Sequence, residues 1–348
     1  MGKQEVLENT LKQIKKAYGD GAIMWLGERQ VSPVEVVPSG SLALDIAVGV
    51  GGIPRGRIVE IFGSESSGKT TLALHMIAEV QRRNGTAAFI DAEHALDPTY
   101  TRALGVDLDH ILLSQPNSGE QALEITEQLT RSGAVDIIVI DSVAALVPTA
   151  ELEGQMGDSQ VGLQARLMSQ AMRKLSGAIS QSKTIVVFTN QIRSVIGGTH
   201  FGTATTTSGG RALKFYASLR LNLWPSGKIE EGSEQVGTTV NVRVVKNKVA
   251  PPFKEAQFDV IYGKGILRSR DLINTGEAVG VITRSGSWYS FAGTRLGQGI
   301  GNSARALEEN TKLAQQIEQA IREKVGLSPS PASKATSKKE PEEAPDAG

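Results

Sequence analysis

The sequence predicts an α/β fold: a mostly parallel sheet covered by helices, antiparallel strands at one edge, an N-terminal helix and a small C-terminal α+β domain. Three observations carry that prediction. Apolar runs at 58–62, 87–90, 137–140 and 185–188 read as buried strands. Helical segments at 71–83, 120–131 and 163–180 separate them, and buried strands alternating with helices build a parallel sheet covered on both faces. Three later runs, 218–223, 239–245 and 257–262, are β-rich with no helix between them, the pattern of antiparallel edge strands.

Each element has its own signal. Near the start, Leu7, Leu11, Ile14 and Tyr18 recur at i, i+4, i+7 and i+11, with Lys12, Lys15 and Lys16 on other faces. That spacing makes an amphipathic helix, ended by Gly19-Asp20-Gly21. It either folds back or docks on a neighbouring subunit. Residues 265–325 hold short helical stretches, the pair Trp288-Tyr289 and a final helix over 310–324, which read as a small α+β unit. Beyond Leu327 come Ser, Pro, Ala, Lys and Glu with almost nothing apolar, the composition of a disordered tail. The expected division is 1–32 (oligomerisation helix and linker), 33–264 (core), 265–326 (small domain) and 327–348 (tail).

Composition narrows the classes. The 348 residues allow one large domain and one or two smaller ones, and 40% apolar content can bury a core. Lys+Arg and Asp+Glu both total 37, so bulk charge cannot be what holds a polyanion, although local basic loops can. With no cysteine, disulfides, thiolate zinc sites and cysteine nucleophiles are excluded. His75, His94, His110 and His200 are scattered without metal-ligand spacing and read as structural. No apolar run reaches membrane-spanning length and the first residues lack a secretory core, so a cytoplasmic protein without a membrane partner is expected.

Gly63-Ser64-Glu65-Ser66-Ser67-Gly68-Lys69-Thr70 fits G-x-x-x-x-G-K-S/T. Such a loop curls so that successive backbone N–H groups face phosphates at the positive end of the next helix. Lys69 then supplies a cation for the β- and γ-phosphates, the Thr70 hydroxyl joins the Mg²⁺ shell, and Thr71 follows at the helix start. A strand before the loop and a helix after it are the context the motif needs. Asp141 ends the run 137–140, at the edge where open α/β sheets bind ligands, and suits Mg²⁺. Glu93 follows the strand 87–90 and suits the base that activates water. A fourth strand ends in Thr189-Asn190-Gln191, where an amide can sense the γ-phosphate.

Six segments, 63–70, 89–98, 114–125, 141–146, 168–175 and 245–250, closely resemble the bacterial RecA recombinase family, in the same order from about residue 7 to 325. The resemblance implies a RecA-type P-loop NTPase core, ATP and Mg²⁺ as cofactors, and a DNA-dependent ATPase that forms helical filaments on single-stranded DNA. Pairing and strand exchange with homologous double-stranded DNA, and stimulated self-cleavage of an SOS repressor of the LexA type, are implied with it. By the same likeness Lys69, Thr70 and Asp141 look like the phosphate and Mg²⁺ residues, Glu93 the catalytic base and Gln191 the residue coupling γ-phosphate to DNA. Asp97 and Tyr100 match positions that hold adenine, and Lys246 and Lys248 match lysines reaching the adjacent subunit's ATP. Residues 153–161 and 192–210 match two DNA-contacting loops, with Arg166, Arg193, Phe201, Ser208, Gly209, Gly210 and Arg211 as DNA-binding candidates.

The loop at 192–211 is rich in Gly, Thr and Ser, with Arg193 and Arg211 its only Lys or Arg, so it offers many polar donors and few fixed charges. Phe201 suits stacking on bases. Departures from the family pattern are Ser64, Trp25, Trp224, an inserted Ser208, and Thr203-Ala204-Thr205 in place of the usual Asn-Pro-Glu. His200 would add a cation there near pH 6. The tail mixes Lys338 and Lys339 with acidic residues, which implies weak autoinhibition. A hexameric helicase or motor shares this core and is the competing reading. It lacks the 245–250 motif.

Overall fold

A computed structural model describes residues 2–28, 33–155, 162–194 and 205–327. The chain divides into two compact units, Met1–Glu35 and Val36–Gly348. The first contains helix α1 (Lys3–Tyr18), closed at Gly19, whose N–H donates to the Lys15 carbonyl. None of its residues is buried.

The second unit opens with β1 (Val36–Val37), α2 (Leu42–Val48) and β2 (Ile53–Pro54). There follow β3 (Ile58–Gly63), α3 (Lys69–Gln81), β4 (Ala87–Asp91), α4 (Pro98–Ala103), β5 (Ile111–Ser114), α5 (Gly119–Ser132), β6 (Ile137–Asp141), α6 (Thr149–Leu152), α7 (Leu163–Ser182) and β7 (Ile185–Ser194). Next come β8 (Thr205–Thr207), α8 (Ala212–Tyr216), β9 (Leu219–Glu231), β10 (Glu234–Asn247), β11 (Glu255–Ile261) and β12 (Gly265–Ile266). The chain then forms α9 (Arg268–Ala278), β13 (Ile282–Ser285), β14 (Trp288–Phe291), β15 (Thr294–Gln298), α10 (Gly299–Glu309) and α11 (Thr311–Lys324).

The main sheet runs β12-β11-β10-β9-β3-β7-β6-β4-β5, with β8 paired to β7. Its core strands are apolar on both faces because both are covered. Val59, Ile61, Phe89 and Val139 pack with α3 residues such as Leu72 and Met76. Ile58, Ile90, Ile140 and Phe188 pack on the other face with Leu123 of α5 and Met172 and Leu175 of α7. Local signals set the helix ends: the Ser118 hydroxyl accepts from the Gln121 N–H to cap α5, and Gly133 stops it in a left-handed conformation. Antiparallel β13-β14-β15 packs with α9, α10 and α11 around Leu272, Leu296, Leu307, Ile317 and Ile321, the small α+β unit the sequence predicts.

Two expectations need correction. The first of the three late runs, β9, is not an antiparallel addition: it lies parallel to β3, Val59 opposite Leu219 and Gly63 opposite Leu223. The chain returns from β7 through β8 and then crosses by α8, five residues too short to register as a helix in the sequence pattern. Of the late runs it is β10 and β11, continued by β12, that add antiparallel at this edge. Several strands also outrun their apolar segments. β7 has ten residues and β9 thirteen, because polar ends such as Thr189-Asn190-Gln191 and 226–231 continue the ladders. The tail beyond Leu327, with Phe201, His200 and Thr203-Ala204, lies outside the described residues.

Candidate nucleotide site

β3, β4, β6 and β7 lie in one sheet and all point their carboxyl ends to one edge, which brings the polar strand-end residues together. The loop Gly63–Thr70 leaves β3 and enters α3, with Gly68 at the helix N-cap in a left-handed conformation. Gly63 is required by closeness: a Cβ there would lie 2.2 Å from the Leu223 carbonyl and 2.7 Å from Ser67 Oγ. Ser67 Oγ is buried without a hydrogen-bond partner among the described residues, a spare polar atom inside the curl of the loop. Ser64, Glu65 and Ser66 form its exposed rim.

Lys69 Nζ donates to the Ser64 carbonyl at 2.7 Å and reaches the Gly63 carbonyl at 3.4 Å. Burial holds its pKa below the usual lysine value, opposed by Asp141, Glu93 and Glu65. Thr70 Oγ1 donates to Asp141 Oδ2 at 2.6 Å, and Thr189 Oγ1 donates to Asp141 Oδ1 at 2.5 Å. Burial pushes the Asp141 carboxyl up, while these two hydroxyls counter it. A carboxylate and a threonine hydroxyl in contact, near a half-buried ammonium group, are hard oxygen donors of the kind Mg²⁺ takes. Together with a loop of free backbone N–H groups they fit a nucleoside triphosphate and its metal.

Glu93 stands at the same edge. Its N–H and that of Ala92 donate to the Asp141 carbonyl, at 3.2 and 2.9 Å, which ties the end of β4 to β6. Glu93 Oε1 accepts a short hydrogen bond from the Ser142 hydroxyl and lies 3.5 Å from Gln191 Nε2. Asp91, buried at the end of β4, accepts from the Ala95 and Leu96 N–H groups and from Gln115 Nε2, fixing the turn that carries Glu93. Asp97 caps α4 by accepting from the Thr99 N–H, and Tyr100 Oη meets Thr71 Oγ1 at 2.9 Å.

Not every predicted residue joins this group. Lys246 Nζ donates to the Lys214 and Phe215 carbonyls at 2.6 and 2.8 Å, and Lys248 Nζ reaches Phe215 at 3.5 Å, a separate cluster around α8. Burial lowers Lys246, helped by Lys248 and Arg220. Arg166 is exposed in the first turn of α7, Arg193 pairs with Thr206 in the β7–β8 ladder, and exposed Arg211 begins α8. The Ser208 carbonyl accepts from Asn190 Nδ2, and the Gly209 N–H donates to Gln164 Oε1 at 3.2 Å. Gly209 and Gly210 have φ of +80° and +75°, and a Cβ on either would come within 2.8 Å of Val143 or Ala165. Sequence reasoning missed Ser142, Asp91, Gln115 and Thr189 as partners of the site. Asp91, Gln115 and Ser142 lie at or just beyond the carboxyl end of a strand, the signal that could have found them, while Thr189 lies inside β7 where its apolar run turns polar.

A phosphate loop at the carboxyl edge of a doubly covered α/β sheet, facing a carboxylate on each of two neighbouring strands, defines a P-loop nucleotide-binding core. Comparison with known proteins makes it particular. The sequence models of the RecA N-terminal domain and the RecA C-terminal domain match residues 5–267 and 270–326. Protein RecA of Caldanaerobacter subterraneus subsp. tengcongensis is 61% identical over 93% of this chain and 95% of its own length. Protein RecA of Brevibacillus brevis is 59% identical over 98% and 97%, and that of Thermotoga neapolitana 61% over 93% and 94%. The chain belongs to the RecA family, whose members bind ATP and DNA in recombination, repair and the SOS response. Among the described residues no helix is long and apolar enough to cross a membrane.

Proposed function

We propose that this chain is a DNA-dependent ATPase that forms helical filaments on single-stranded DNA and pairs and exchanges strands with homologous double-stranded DNA. In the cytoplasm its filament would also stimulate self-cleavage of a LexA-type SOS repressor. One observation carries the reading: a single strand, β7, serves both ends of the process. Gln191 meets Glu93 at the nucleotide edge, and three residues on, Ser194 pairs with Thr205 beside the loop assigned to DNA. A rigid strand that touches both is a physical route from nucleotide state to DNA contact.

In this reading Gly63–Thr70 cradles the phosphates and Lys69 leaves the Ser64 carbonyl for them. Thr70 and Asp141 would hold Mg²⁺, which when bound neutralises charge on the phosphoryl oxygens. Glu93 accepts the proton of the attacking water, with the Ser142 O–H fixing its carboxylate. Gln191 senses the γ-phosphate. Asp97 and Tyr100 flank the base, and Lys246 and Lys248 complete the neighbouring protomer's site. Arg166, Arg193, Ser208, Gly209, Gly210 and Arg211, with Phe201, contact DNA. Residues 1–32 assemble the filament, 33–264 form the catalytic core and 265–326 a separate small domain.

The test is ATP hydrolysis with and without single-stranded DNA, on wild type and Lys69→Ala. Strong stimulation by DNA, lost in the variant, is expected. Hydrolysis indifferent to DNA would overturn the recombinase reading, and rings instead of helical filaments in electron micrographs would favour a motor.

A further inference from the structure

Glu60 sits in the middle of β3 with no solvent exposure, a costly place for a carboxylate unless both oxygens are engaged. They are, and by different strands. Oε1 accepts from Asn190 Nδ2 of β7 at 3.0 Å, and Oε2 accepts from Arg220 Nε of β9 at 2.5 Å. β3 lies between those two strands, with Arg220 directly opposite Glu60 in the parallel register.

On the β7 side the Asn190 amide is fully committed. Its Nδ2 donates to Glu60 and to the Ser208 carbonyl at 3.1 Å, and its Oδ1 accepts from the Gln191 N–H at 2.9 Å. Both donors and the acceptor are spent, so the orientation of Asn190, and with it the backbone at Gln191, depends on Glu60 remaining in place. On the β9 side the Arg220 guanidinium lies over the Phe62 ring at 4.6 Å. Arg220 is also opposite Lys246 in the β9–β10 ladder. Burial lowers Lys214 and Lys246, Arg220 adds to both effects, and Glu60 is the carboxylate that opposes them.

We infer that Glu60 is a positioning residue that links two nucleotide sites, setting Asn190-Gln191 for its own chain's site and, through Arg220, the Lys246–Lys248 face turned to the next protomer's. The inference rests on the filament reading above. One carboxylate with one oxygen per side cannot move toward either partner without loosening the other. A displacement of Gln191 is therefore felt at Arg220, and a displacement of Arg220 at Gln191.

The experiment uses full-length protein on poly(dT): wild type, Glu60→Gln, and the double variant Glu60→Gln/Arg220→Met. The single variant leaves the part-buried Arg220 without its carboxylate and is expected to lose stability. The double variant removes both charges, keeps an acceptor for Asn190 and leaves no buried ion unpaired, so it holds the fold where the single does not. The rate of hydrolysis against ATP concentration, mant-ADP affinity without DNA, and thermal melting are compared. Wild type should respond sigmoidally to ATP, as coupled sites do. The double variant should respond hyperbolically, with mant-ADP affinity within about twofold and melting close to wild type, since neither change touches the phosphate loop. A double variant as sigmoidal as wild type overturns the role of Glu60 and leaves the filament reading standing. A hyperbolic wild type that DNA still stimulates removes the coupling itself. A wild type that DNA does not stimulate brings down both.

Discussion

Asp141 and Asp271 are both buried carboxylates, yet they do opposite work. Burial pushes each above the usual carboxylate range, Asp271 to about 6. Asp141 receives the hydroxyls of Thr70 and Thr189, which can rotate to other partners at the cost of a torsion. Asp271, on α9, receives the Ser41 hydroxyl and the Leu42 N–H at the start of α2, and a backbone donor cannot turn away. Around it the seam between core and C-terminal helices is dense with ionisable groups. Asp45 is pushed by burial up to about 7 against its hydrogen bonds from Ser39, and Glu318 is held down by Arg268 and Arg322 despite burial. The nucleotide edge keeps exchangeable partners and can react. The seam spends its polar groups on fixed donors and fastens.

That contrast predicts failures of different kinds. At the edge, Glu93→Gln should cut DNA-stimulated turnover by about 10²–10⁴, the worth of a general base, with nucleotide binding and melting temperature unchanged. A variant that still turns over at the wild-type rate would break the assignment of the edge. At the seam, Asp271→Ala should leave turnover per folded molecule intact. It strands the Ser41 hydroxyl and the Leu42 N–H, and urea unfolding should show a loss of ~2–6 kcal/mol, from about 1–3 kcal/mol for each of the two unmet buried groups.

His75 sharpens the comparison through pH. It is buried on α3, its Nε2 accepts from the Ile266 N–H at 2.8 Å, and burial, with Arg82, depresses its pKa from 6.5 to about 4. The neutral ring is therefore the folded form. Its contribution is complete above about pH 6.5 and is lost as pH falls toward about 4, a span worth up to ~3 kcal/mol at about 1.4 kcal/mol per unit. His75→Gln keeps an acceptor for Ile266 and should flatten that part of the acid-unfolding curve. An unchanged slope between pH 6.5 and 4 would show that the ring does not carry it.

Much of this was legible before any coordinates. The four core strands were readable because each is a largely apolar run set among helical segments, and the edge was readable because three of the runs lead into Asp, Glu or an amide and the fourth, 58–62, into the phosphate loop. The first late strand was misjudged because direction depends on a crossover, and five-residue α8 leaves no periodic trace. The last residues of β7 were invisible for a related reason: Ile192, Arg193 and Ser194 pair with β8 while reading as the start of the loop. Glu60 was passed over because a charge inside an apolar run carries no sign of which strands will flank it. The reach of Lys246 and Lys248 across a filament came from resemblance alone, since their contacts within the chain are to carbonyls of α8.

The Gly209-Gly210 pair has a consequence for how this protein can drift over generations. Substitution there is opposed twice, by a backbone angle that side chains avoid and by Val143 and Ala165 standing where a Cβ would go. The end of the loop is pinned at this pair. On the proposed DNA-binding role of this loop, variation between lineages should accumulate upstream of a fixed post, and a library randomised over 195–207 should retain far more functional clones than one randomised at 209 and 210.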